Sequence, residues 1–108
     1  MSTELLSQID MLEQACHAAL RKGDDAQTIA LLLRALTTVT FTVSKGERPI
    51  IRGLANLAST HSGMLLDALK AAEPAAVVHK GLTRVCNSLA ELREALEDDH
   101  TPEHRTVS

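Results

Sequence analysis

Five histidines, two cysteines and two adjacent acidic pairs are the side chains in this 108-residue chain that could carry chemistry. Metal binding needs several of them to converge on one point. Cys16 and His17 are neighbours, so on a helix they point about 100° apart and cannot share an ion. His79 and Cys86 are two helical turns apart, about 10 Å along an axis, which is too far for one ion. His100 and His104 have the spacing of ligands on one helix face, but Pro102 between them breaks the helix that would present them. No metal site and no cofactor are expected. Nucleophilic catalysis fares similarly. Ser59, Thr60, His61 and Ser62 are consecutive, yet neighbours on a helix fan outward, whereas a hydroxyl and its base must meet beside an orienting acid. An enzyme would need His61 or His79 in a cleft beside a carboxylate. Asp24-Asp25 and Asp98-Asp99 suit helix ends better than a catalytic carboxylate pair. The five glycines are isolated, so no phosphate-cradling loop is present. The chain is expected not to be an enzyme.

Composition narrows the classes further. The apolar fraction is 44 %, yet Phe41 is the only aromatic residue, and the net charge is −3. Aromatic platforms for bases are therefore missing, and the charge opposes attraction to a phosphate backbone. Direct nucleic-acid binding is not expected. The amino terminus lacks a basic leader, and no apolar run is expected to reach membrane-spanning length, which points to the cytoplasm and no membrane. Cys16 and Cys86 are expected to be reduced and buried on apolar helix faces.

The elements that hold these residues read as mainly α, about four helices with one short strand between the second and third. Thr3 can cap a first helix whose seam is Leu5, Ile9, Leu12, Cys16 and Ala19, ending near Lys22-Gly23. Asp24 with Gln27 has capping-box spacing for a second helix, striped by Ile29, Leu32, Leu33 and Leu36. Thr38 to Val43 then alternates Thr38, Thr40 and Thr42 with Val39, Phe41 and Val43, the period of a strand. Its ladder would need a partner, and a second copy about a two-fold axis supplies one, so these six residues are the expected homodimer interface. Pro49 starts a third helix with the seam Ile50, Leu54, Leu57, His61, Met64 and Ala68, with a kink expected at Gly63. Val78, Leu82, Val85, Leu89, Leu92 and Leu96 define a fourth helix from Ala75 to about Glu97. Residues 1–98 form one helical domain, and 99–108 are expected to be a disordered tail.

Leucine seams without a catalytic constellation suit a module that binds proteins. Leu5, Ile9, Leu12, Leu54 and Leu57 are the expected partner surface, with Arg48 and Arg52 as polar anchors. The competing expectation is a sensor or carrier holding a small molecule between the helices.

One further pattern runs from Thr40 to Leu96. Phe41-Thr42-Val43-Ser44-Lys45-Gly46, then Leu54, Ala58-Ser59 and Leu65, then Gly81, Leu89 and Leu92, resembles a family of small pseudomonad regulatory proteins. In size, composition and layout the chain is similar to the QslA-type anti-activators of quorum sensing. That resemblance implies a homodimer that binds a LuxR-type transcription factor, covers its dimerisation surface and so blocks DNA binding.

Overall fold

The computed structural model describes residues 3–23 and 25–100, with no side-chain description for Thr3, Asp99 and His100. Four helices follow one another: α1 (Thr3–Lys22), α2 (Ala26–Val43), α3 (Pro49–Lys70) and α4 (Ala75–His100). The short connections force an up-and-down path. Each helix packs on its sequence neighbours, and α1 also packs on α4, which closes the bundle. The mainly helical expectation holds, and no strand is present among the described residues.

The expected strand is the last part of α2. Two periods coexist in this stretch, and burial selects the helical one. Ile29, Leu33, Leu36, Thr40 and Val43 are buried at steps of four and three, so Thr40 and Val43 extend the seam begun upstream. The threonines are accommodated by turning their hydroxyls back into the helix. Thr37 Oγ1 donates to the Leu33 carbonyl at 2.8 Å, Thr38 to Arg34 at 3.1 Å, Thr40 to Leu36 at 2.9 Å and Thr42 to Thr38 at 3.2 Å. This lets buried Thr40 sit in an apolar seam without an orphaned hydroxyl. The backbone groups are consumed inside the helix, so no ladder is left to offer a second copy. The strand-paired dimer of Thr38, Val39, Thr40, Phe41, Thr42 and Val43 therefore loses its physical basis.

The ends of α2 differ from expectation as well. The N-cap is Asp25, whose carboxylate accepts from the Thr28 amide at 3.0 Å; the expected cap Asp24 lies outside the described residues. Ser44 closes the other end, its hydroxyl donating to the Phe41 carbonyl at 2.6 Å. With 18 residues and a mean hydropathy of 1.4, α2 is long and apolar enough to cross a membrane, contrary to the expectation that no run would be. Its buried seam is nevertheless covered by α1 and α3.

In α4 the expected seam is buried from Leu82 to Leu96, with Val78 half-buried. In α1 Ile9, Cys16 and Ala19 are buried, but Leu5 and Leu12 are half-buried and Glu13 takes a buried place beside them. Cys16 and Cys86 are free and in the core. The α3 seam is displaced by one residue. Its buried face is Ile51, Ala55, Ala58, Ser62 and Leu65, and the helix is unbroken through Gly63. Small residues win this face because α3 is clasped between α2 and α4. On α4, a Cβ at Gly81 would meet Leu65 Cδ1 at 2.9 Å, so the two helices touch closely there. At its end α3 unwinds through Ala72, which takes a left-handed φ of 54°, while the Glu73 amide bonds back to the Ala68 carbonyl at 3.1 Å. Of the expected tail, 99 and 100 have helical backbone and the rest lies outside the described residues.

Candidate protein-binding face

Displacing the buried seam turns the larger apolar side chains of α3 outward. Ile50 is 64 % exposed, Leu57 41 % and Met64 55 %, with Leu54, His61 and Ala68 half-buried between them. These six residues keep the four-and-three spacing of a helix–helix seam. Leu54, His61 and Ala68 lean on the bundle, and Ile50, Leu57 and Met64 are left uncovered among the described residues. Along its second half the stripe borders a groove of about 490 Å³. Met64, Leu65 and Ala68 of α3 face Val77, Lys80 and Arg84 of α4 across it. Exposed apolar side chains grouped on one helix face and rimmed by charges make this face a candidate association site.

The expected partner residues divide between core and surface. Ile9 is wholly buried and Leu5 and Leu12 are half-buried against the core, so the α1 seam is used by the fold itself. Leu57, Arg48 and Arg52 are exposed, and Leu54 is half-buried on the outward stripe. Of the strand residues, Thr40 and Val43 are in the core and Val39 is half-buried. Phe41 remains exposed on the surface of α2, where the Lys45 ammonium lies 4.4 Å from its ring centre. Ile50 and Met64 belong to the stripe but were not singled out as partner residues. The signal for them was present in the spacing; which of two adjacent seams faces inward was not.

Polar groups inside the bundle serve the fold. His61 Nδ1 and Ser88 Oγ are hydrogen-bonded at 2.6 Å, linking α3 to α4. Asp67 and Glu73 line the groove that His61 enters, and Glu73 lines the cavity beside His79. Among the described residues no hydrogen bond or ion pair joins either histidine to a carboxylate. Ser88 is buried at the contact between α3 and α4.

Glu13, buried on α1, accepts from Arg93 Nε of α4, and Arg93 also pairs with Glu97 at 2.7 Å. The Glu13 hydrogen bond raises the Arg93 pKa above its ordinary value. His17 lies 3.5 Å from the other Glu13 oxygen. Cys16 on α1 and Cys86 on α4 are both buried and act on one another's titration. The neighbouring Cys86 thiol, then burial, pushes the Cys16 thiol up, while Cys16 draws Cys86 down against its own burial. No group of three metal-ligating side chains converges among the described residues.

A second cavity of about 460 Å³ opens at the end of the bundle where α1 and α3 finish. Leu20, Ile29, Leu69, Val78 and Leu82 form its apolar walls.

No protein-family model, curated protein or solved structure matches the chain.

Proposed function

We propose that this protein is a non-enzymatic regulator that acts by stoichiometric protein–protein binding through the outer face of α3. One observation carries the reading: Ile50, Leu57 and Met64 form an apolar stripe at helix-pairing spacing that the chain's own fold leaves uncovered. With no Trp or Tyr to act as anchors, binding rests on aliphatic area. Arg52, two residues from both Ile50 and Leu54, is turned about 160° away from the stripe and is no anchor for it. The resemblance to anti-activators of quorum sensing supplies the target class, a LuxR-type transcription factor in the cytoplasm. Covering that factor's dimerisation surface would prevent it from holding a two-fold DNA site.

The test is a promoter mobility shift with a purified LuxR-type factor from the same genome. Adding this protein should release the DNA in proportion to its concentration. An Ile50→Ser, Leu57→Ser, Met64→Ser variant with unchanged helix content should not. Full promoter occupancy at a large excess of the parent protein contradicts the reading.

The end-of-bundle cavity favours a second reading, a carrier or sensor for a small aliphatic molecule. Concentration-dependent stabilisation by a soluble aliphatic metabolite, abolished by Leu82→Gln, would support it over the first.

A further inference from the structure

The outer α3–α4 face is complementary to itself. The His61–Ser88 hydrogen bond and the Leu65–Gly81 approach fix the antiparallel register of the two helices. They set the midpoint of the α3 stripe, between Leu57 and His61, level with α4 near Ser88. Charge on the outer side of α4 is divided at the same level. Lys80 and Arg84 are exposed before it, Glu91 and Glu94 after it. Arg84 and Glu91 are two turns apart and so share one face.

We propose that a second copy of this chain covers the face, α3 against α3 and α4 against α4, about a two-fold axis through that midpoint. An antiparallel pairing places Leu54 against Met64 and Leu57 against His61 of the other copy, with Ile50 near Ala68. The same axis brings Arg84 level with Glu91 and Lys80 level with Glu94, each pair occurring twice. A parallel pairing would instead stack like charges, which are mutually repulsive. Apolar stripe and charge division are thus satisfied by one operation, as an isologous interface requires. A foreign helix could match the stripe, but the reversal of charge about the stripe's own midpoint is what a self-pairing surface needs.

The inference rests on the face of the preceding section but not on the identity of its target. Copy and target use the same residues, so they compete, and the target takes the monomer released by the dimer. Sedimentation velocity on the purified full chain tests it. The parent is expected to be a dimer that dissociates as salt rises, and Leu57→Asp a folded monomer. Arg84→Glu and Glu91→Arg should each weaken the dimer about tenfold or more, and the double variant should restore it, because the exchanged charges meet across the axis. A monomeric parent, or a double variant no tighter than the single ones, overturns the pairing. A monomeric parent leaves the promoter assay intact as a test of the regulator. A dimer without effect on promoter occupancy overturns the regulator and leaves the pairing.

Discussion

At the residue scale, polar groups buried where the helices meet are paired across the contact. Ser88 is bonded to His61, and Glu13 to Arg93. Glu13 is nearly enclosed, so removing that guanidinium takes away a charged partner from a buried side chain. Arg93→Ala should cost roughly 1.5–3 kcal/mol in urea unfolding, the range for a hydrogen bond to a charged group. Arg93→Lys should recover only part of it, because Lys cannot present the fork that reaches Glu13 and Glu97 together. Asp25 behaves differently because it is exposed. Hydrogen bonds from Thr28 hold its carboxyl below the ordinary carboxylate range. A lowered folded pKa gives stability that is present above the unfolded value and is lost as pH falls through the folded one. Asp25→Ala should therefore lower the thermal midpoint at pH 7, with the gap from the parent closing below about pH 4.

The helices themselves show which patterns can be read from a sequence and which cannot. α1 and α4 were legible because a single apolar stripe leaves no choice of face. In α3 two adjacent stripes compete, and the one with larger side chains lost. Ala55, Ala58 and Ser62 let α2 and α4 come close, a benefit that becomes visible only once three helices are placed together. In α2 the threonines supplied a period of two, while Thr40 and Val43 also continued the helical seam. Local propensity could not decide between them; burial by α1 and α3 did. Exposed Thr38 and Thr42 give a direct check. On a helix, Thr38→Ala and Thr42→Ala each remove a β-branched residue and should stabilise by up to about 0.7 kcal/mol. On a strand the same changes would destabilise. Denaturant midpoints of the two variants distinguish these outcomes.

At the scale of the whole molecule, the same small-residue packing that closes the bundle is what leaves its larger aliphatic residues outside. Candidate site and fold thus have one origin: α3 sits deep by its alanines, and Ile50, Leu57 and Met64 are left exposed. Half of this site was visible in the sequence, where Leu54 and Leu57 already stood on the right helix. The proposed two-fold was not, since the charge division on α4 acquires meaning only from its register against α3. Two methionines provide the most direct test of whether that face is covered. Met11 on α1 and Met64 on α3 are both well exposed in the isolated chain, at 67 % and 55 %. Brief peroxide treatment of the purified protein, with sulfoxide measured at each residue by peptide mass spectrometry, compares them within one sample. Met64 should oxidise several-fold more slowly than Met11 in the parent and about as fast in Leu57→Asp. Equal rates at the two residues in the parent, at concentrations where dimer is expected, would contradict a covered α3 face.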